Sequence, residues 1–138
     1  MDYAAETRFV RAFIRKERRE RLLYELTTPK KRCNGVSRFC HQAEELLDPA
    51  KLVMAGEDLE RRAAFARFVR AHDGPCRLLS PFPWLDGRVM PFGDAVREAA
   101  QCPDAVLILG DGFAVVFGEP VKGGRGKYLL SEKNLLSV

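Results

Sequence analysis

The stretch AVLILGDGFAVVFG, residues 105–118, constrains the fold of this chain more than any other part of it. Two apolar runs flank Asp111-Gly112, and such a dipeptide between two apolar runs is the strongest local signal of a β-hairpin. Neither run alternates with polar residues, which indicates strands inside a sheet rather than strands at an exposed edge. The chain is therefore expected to contain a sheet with this hairpin in its interior.

Three shorter segments have the composition of further strands. They are residues 51–55, residues 76–80, and residues 128–131 after a glycine-rich loop. Together with the hairpin they predict a mostly antiparallel sheet of four or five strands. If the segments at 51–55 and 76–80 are parallel neighbours, the helix between them is their crossover, and it is expected to be right-handed.

Helices are predicted for most of the remaining chain. Their expected ranges are residues 7–27, Asn34 or Gly35 to Asp48, Asp58 to His72, and Asp94 to Gln101. The second has the cleanest periodicity in the chain, with apolar residues recurring every 3.6 positions. In the first, the heptapeptide RKERRER (15–21) contains no apolar side chain. This helix therefore either crosses solvent there or is interrupted by a joint.

These elements predict an α+β fold, in which N-terminal helices pack on a mostly antiparallel sheet and all helices lie on one face. A chain of 138 residues suits a single domain. Within it we distinguish a basic helical part at 1–48 from a mixed α/β part at 49–138. A chain of this size buries about two thirds of its unfolded surface, so it needs no disulfide bonds for stability.

Positive charge is concentrated in the first third of the chain. The net charge is +4, yet the segment from Arg8 to Arg38 holds eleven basic residues and three acidic ones. Such asymmetry is typical of chains that meet an acidic partner. The cations that we predict to form this partner surface are Arg15, Arg18, Arg19, Lys30, Lys31 and Arg32.

A proline- and aromatic-rich loop, PFPWLDGRVMPF (81–92), carries the only tryptophan. Loops lie mostly on the surface and often hold binding residues, and a tryptophan beside an arginine is a frequent interface anchor. Trp84 and Arg88 are therefore predicted to join the partner surface. The alternative is that the aromatic residues of this loop cover the open side of the sheet and complete the core.

The glycine-rich loop VKGGRGK (121–127) has the composition of a phosphate-binding loop but not its pattern. The P-loop would need glycine at position 121 and serine or threonine at 128, where the chain has Val121 and Tyr128. The residues left as candidates for weak anion binding are Lys122, Arg125 and Lys127. Backbone N–H groups of the loop would assist them, and the alternative is a flexible connection between strands.

No metal site, cofactor site or catalytic site is predicted. Six residues separate Cys33 from Cys40, and His41 lies about 100° round the helix from Cys40, whereas zinc sites use paired short spacings. His72 ends a predicted helix, where an imidazole acts as a cap. A reactive thiol needs a base or a positive environment, and the sequence supplies neither to Cys40 nor to Cys102.

The sequence gives no sign of a membrane or an export route. No apolar run approaches the roughly 20 residues needed to span a bilayer. The N-terminal residues lack the basic region followed by an apolar stretch that marks secretion signals. We therefore expect the four cysteines to be reduced thiols of a cytoplasmic protein.

Taken together, these features favour a small protein-binding or regulatory domain without catalytic activity. Electrostatic attraction would bring an acidic protein partner to the basic helices, and the aromatic loop would hold it. The alternative is nucleic-acid binding through the same basic segment and the 121–127 loop. An enzyme without a recognisable motif is the third possibility, since active-site residues converge from distant parts of a chain.

Overall fold

The computed structural model describes residues 3–102, 104–119 and 124–133. The helices are α1 (Ala4–Phe13), α2 (Arg19–Leu26), α3 (Pro29–His41), α4 (Ala43–Leu46), α5 (Ala63–Ala71) and α6 (Phe92–Gln101). The strands are β1 (Leu52–Ala55), β2 (Pro75–Leu79), β3 (Val89–Pro91), β4 (Ala105–Leu109), β5 (Phe113–Phe117) and β6 (Lys127–Ser131). Among the helices of these ranges, none has both the length and the apolar character that crossing a membrane requires.

The sheet is built around the predicted hairpin. Its strand order is β1-β6-β5-β4-β2-β3, and every pairing between neighbours is antiparallel. The two hairpin strands occupy the central positions, with Ala105 opposite Phe117 and Ile108 opposite Ala114. Gly112 adopts a φ of +90° in the turn, a conformation that glycine reaches without steric cost. The prediction of an α+β fold with an interior hairpin is thus confirmed.

Two details of the predicted sheet differ from the structure. The sheet has six strands rather than four or five, because Val89–Pro91 at the end of the aromatic loop forms the edge strand β3. The proposed parallel pairing of 51–55 with 76–80 is wrong. Strand β1 pairs with β6 at one edge, while β2 lies between β3 and β4 near the other, so α5 is no crossover between adjacent strands.

Helices cover both faces of the sheet, not one face as predicted. Buried residues of α1 to α4 form one core with inward residues such as Val106 and Val116. The opposite face packs against α5 and α6, with Leu107 and Val115 in its core. Both sides of the central strands are thereby removed from water, which explains why their sequences are apolar throughout.

Joints interrupt the N-terminal helices. Helix α1 ends at Phe13, and Ile14 forms an isolated bridge with Leu47 before the chain enters a 3₁₀ turn at Lys16–Arg18. The polar heptapeptide is therefore a joint between two helices. Helix α3 begins at Pro29, five or six residues before the predicted start, because proline suits the first turn, where its missing N–H is no loss.

Candidate functional site

Arg32 joins helix α3 to the loop that carries Trp84. Its Nε and Nη2 atoms donate to the two carboxylate oxygens of Asp86 at 2.7 and 3.0 Å. Its Nη1 atom donates to Glu6 at 2.8 Å and to the carbonyl oxygen of Leu26 at 3.0 Å. Burial works against the charged form of Arg32, but these hydrogen bonds and the charges of Asp86 and Glu6 raise its pKa above the ordinary value. The guanidinium is therefore held inside the protein as a permanent cation.

The aromatic loop is fixed by bonds of its own. A third hydrogen bond to Asp86 comes from the backbone N–H of Ser80 at 3.1 Å. Gly87, with a φ of +81°, donates its N–H to the carbonyl oxygen of Leu78 at 2.8 Å. The Sγ atom of Cys33, on α3, lies 3.2 Å from the carbonyl oxygen of Pro81. Together with the Arg32–Asp86 pair, these contacts keep the loop against the first turns of α3.

The Arg32–Asp86 pair and the contacts around it place four of the predicted partner-binding residues on neighbouring segments. Lys30 and Lys31 are exposed in the first turn of α3, and Trp84 and Arg88 are exposed on the loop. The indole of Trp84 stacks on the ring of Phe82, with 5.0 Å between centroids and 28° between planes. Trp84, 65% exposed, is not part of the core. We refer to Lys30, Lys31, Trp84 and Arg88 as the Trp84 surface.

Arg32 does not belong to that surface, although it was predicted with it. Only 8% of the residue is exposed, and its charge is balanced by Glu6 and Asp86. Its guanidinium is thus bound to the protein's own carboxylates and is not available to a partner. Its contribution to the Trp84 surface is to position the two segments that form it.

The other three predicted arginines lie at the joint between α1 and α2. The Nε atom of Arg15 donates to the carbonyl oxygen of Leu47 at 3.0 Å, and that of Arg19 donates to Ile14 at 2.9 Å. Arg18 is exposed and, with Arg15, lines a cavity of about 460 Å³ beside α4. No residue of the Trp84 surface lines this cavity in the described chain. The structure therefore separates the basic residues into two groups.

The described cations of the glycine-rich loop are neutralised. Arg125 forms two hydrogen bonds with the carboxylate of Glu44, at 2.9 and 3.0 Å, and Lys127 lies 2.8 Å from both oxygens of Glu60. The side-chain hydrogen bond from Arg125 is the main reason why the pKa of Glu44 lies below its ordinary value. Lys122 lies outside the described residues. The predicted anion site therefore has little free charge in its described part.

The two histidines lie far apart, each beside carboxylates. His41 has Asp104 and Glu119 on either side, each 3.7 Å from a ring nitrogen. His72 takes the C-cap position of α5 through its backbone N–H, whereas its ring, predicted to cap the helix, has its Nδ1 atom 2.8 Å from Asp111 in the hairpin turn. Within residues 3–102, 104–119 and 124–133, no group of three or more His, Cys, Asp or Glu side chains is arranged to hold a metal ion.

Among these carboxylates, Asp104 is in the least favourable environment. It has a φ of +67°, and its Oδ1 atom is buried without a hydrogen-bond partner among the described residues. Burial raises the pKa of Asp104, His41 opposes that rise, and Glu119 adds to it. Asp104 then loses its proton at a lower pH in the unfolded chain than in the native protein. The stability of the native protein therefore falls as the pH rises between these two pKa values.

Replacing Asp104 with asparagine should therefore stabilise the protein at pH 8, by about 1 kcal/mol. Asparagine tolerates a positive φ as well as aspartate does, and it carries no charge to bury. Below about pH 4, the ordinary pKa of aspartate, the advantage should vanish. Urea unfolding of both proteins at the two pH values measures this. An equal difference in the free energy of unfolding at both pH values would mean that the effect comes from the backbone rather than from the buried charge.

The two buried thiols, Cys40 and Cys76, show no sign of activation. Cys40 and Cys76 are 2% and 0% exposed, in the two cores on opposite faces of the sheet. Burial raises the pKa of Cys76 to about 12, and burial together with the charge of Asp104 raises that of Cys40. A thiolate is the reactive form of cysteine, so neither group is a ready nucleophile at neutral pH.

No protein-family model matches this chain, and no match was found among curated proteins or solved structures. Its function is therefore inferred from its own geometry and charges.

Proposed function

We propose that this protein is a small, non-catalytic protein-binding or regulatory domain that engages an acidic partner protein through the Trp84 surface. The observation that carries the proposal is that two exposed lysines and an exposed tryptophan lie on neighbouring segments. They stand on two segments that the buried Arg32–Asp86 pair holds together. Cationic side chains would attract the partner, and the indole would bury apolar surface against it.

The position of the lysines supports this function. Lys30 and Lys31 lie in the first turn of α3, a turn that contains no acidic residue. The helix dipole disfavours a cation there by about 0.3–1 kcal/mol. Neither lysine has an ion-pair partner among the described residues. A local electrostatic cost without a compensating contact is typical of functional positions, and an acidic partner would compensate it.

The state of Trp84 supports it as well. Tryptophan is strongly enriched among the residues that dominate binding energy at interfaces. Here the indole is largely exposed, yet its stacking on Phe82 and the hydrogen bonds of its loop restrict its motion. A side chain that is already ordered loses little conformational entropy on binding, so Trp84 is suited to anchor a partner.

We further propose that the protein acts in the cytoplasm. All four cysteines are free thiols, and Cys33 is exposed. Free, exposed thiols are typical of reducing compartments, whereas extracellular proteins of modest size more often carry disulfides.

Selection from a displayed library of random peptides tests the proposal. Peptides that bind the protein should be rich in Asp and Glu and contain an apolar residue. Trp84→Ala should weaken their binding about 30-fold, which corresponds to a hot spot of about 2 kcal/mol. The double variant Lys30→Glu with Lys31→Glu should weaken it at least tenfold. Titration by fluorescence anisotropy at low salt measures both effects.

Matched controls come from elsewhere on the molecule. Tyr24 on α2 is another exposed aromatic residue, and Tyr24→Ala should change affinity less than twofold. Arg67 and Arg70 are exposed on α5, which covers the opposite face of the sheet, so reversing their charges should also have little effect. If Trp84→Ala binds normally, or if the selected peptides are not acidic, the proposal is wrong. Tight, salt-sensitive retention of duplex DNA with no selected peptide would favour the nucleic-acid alternative.

A further inference from the structure

One corner of the sheet face that α1 to α4 cover remains open. There, β2, β3 and the end of β4 border a groove of about 370 Å³ beside the first turns of α1. Its apolar lining includes Pro75, Val89, Ile108 and Leu109. Val89 is 59% exposed, although it is a large apolar residue in a strand. The groove has the size and the apolar character of small-ligand sites.

The register of the strands places one charged side chain among these apolar ones. Arg77 of β2 lies opposite Val89 of β3 and opposite Ile108 of β4. Residues directly opposite one another on antiparallel strands project from the same face of a sheet. The three side chains therefore form a row across the floor of the groove, with the guanidinium in the middle.

The guanidinium of Arg77 is anchored but not saturated. Its Nε atom is buried 3.8 Å from Oε1 of Glu6, a carboxylate with no solvent exposure. The terminal nitrogens of Arg77 have no hydrogen-bond partner among the described residues. One third of the side chain is exposed, and the residue lines the groove. Arg77 therefore retains donors for an oxygen ligand placed there.

The charges around the groove select the kind of ligand. Arg8 also lines it, with its guanidinium bound to Glu132, and none of the described lining residues is a carboxylate. Guanidinium groups match the planar carboxylate through two parallel hydrogen bonds, whereas the apolar floor suits a hydrocarbon. We propose that this groove binds an aliphatic carboxylate, with its charged end on Arg77 and its alkyl chain on Val89 and Ile108.

Hexanoate is a suitable probe, with 1-hexanol as its uncharged counterpart. We expect hexanoate to cause saturable changes in the NMR signals of the methyl groups of Val89 and Ile108. 1-Hexanol should bind at least tenfold more weakly, because it cannot pair with Arg77. Equal affinities for the two compounds would mean that the groove is only an apolar patch, and this would overturn the proposal. The absence of saturable changes in the NMR signals would overturn it as well.

Variants of the full chain identify the residues involved. Arg77→Met should weaken hexanoate binding at least tenfold. Val89→Asp, at an exposed edge position where folding tolerates the change, should do the same by placing a negative charge in the groove. Arg67→Met, the matched substitution on α5 away from the groove, should leave the affinity within twofold. If both groove variants bind hexanoate normally, the site is wrongly assigned.

Other occupants have distinct signatures. Changes in the Val89 and Ile108 signals with protein concentration, without hexanoate, would mean that a second copy fills the groove. Nuclear Overhauser effects from residues 134–138 to Val89 in the free protein would mean that this segment of the same chain fills the groove. Either result overturns the proposal. Trp84→Ala should not affect hexanoate binding, so a failure of this site and a failure of the Trp84 surface can be told apart.

Discussion

Replacing Arg32 with methionine should destabilise the protein by about 3–5 kcal/mol, the usual consequence of removing one partner from a buried ion pair. Glu6 has no solvent exposure, and its Oε2 atom accepts from Arg32 at 2.8 Å, whereas Arg77 approaches only its other oxygen, at 3.8 Å. Without Arg32, the buried carboxylate keeps its charge with one distant cation or takes up a proton. Urea unfolding at pH 7, followed by circular dichroism, measures the loss.

Arg125→Met is the matched control, because the same substitution there breaks another bidentate arginine–carboxylate pair. The side chains of Arg125 and Glu44 are 50% and 32% exposed, so the cost should be about 0–1 kcal/mol. Changing Glu6 to leucine together with Arg32→Met should recover about 1–3 kcal/mol of the loss, since the fully buried carboxylate is then removed and the charges that lose a partner, Asp86 and Arg77, are partly exposed. Equal costs for Arg32→Met and Arg125→Met would contradict the importance that we assign to burial.

The inward orientation of Arg32 could have been inferred from the sequence if the start of α3 had been placed correctly. Arg32 precedes Val36, Phe39 and Cys40 by four, seven and eight residues, which is the spacing of one helical stripe. All four residues are buried. A helix that starts at Asn34 or Gly35 has Arg32 in the preceding loop, together with Lys30 and Lys31. Helix ends are less well defined by periodicity than helix interiors, and a proline such as Pro29 is compatible both with the end of one helix and with the first turn of the next.

The burial of both faces of the sheet could also have been predicted from the sequence. The continuous apolar runs of β4 and β5 indicate that both faces of these strands are covered, but helices were predicted on one face only. The amphipathic patterns of the helices give no face assignment by themselves, since each pattern says only that one side is buried. The side of the sheet that a helix covers depends on its connections, which local spacing does not reveal.

Other features of the candidate sites are not encoded locally. Asp86 pairs with Arg32 across 54 positions, and Arg125 pairs with Glu44 across 81. Judged by its neighbours in the sequence, Asp86-Gly87 is typical only of a turn, and Arg125 only of a basic loop. Which cations remain free, and hence where a partner can bind, depends on such long-range pairings. Composition could predict a basic segment, but only the fold shows that its charge divides into paired and exposed groups.

Gly118→Ala should cost about 3 kcal/mol, at the upper end of the usual range for overpacking a buried position. A Cβ atom at Gly118 would lie 2.3 Å from the carbonyl oxygen of Cys40 and 3.1 Å from that of Gly126. Both neighbours are backbone atoms, so no side chain can rotate to make room. The N–H of Gly118 donates to Gly126 at 2.8 Å, which further fixes the chain where β5 passes the end of α3. Thermal and urea unfolding both measure this loss.

Gly110→Ala provides the comparison, since it is the same substitution at the end of β4 in the same hairpin. A Cβ atom there meets no atom within 4 Å, and the φ of Gly110 lies outside the left-handed region. This variant should be stabilised by about 0.4–1 kcal/mol, because alanine reduces the conformational freedom of the unfolded chain. The two substitutions should thus change stability in opposite directions. A loss below about 1 kcal/mol for Gly118→Ala would mean that α3 can move away from the sheet at Cys40, and the close packing of helix end against strand end would then not be a requirement of the fold.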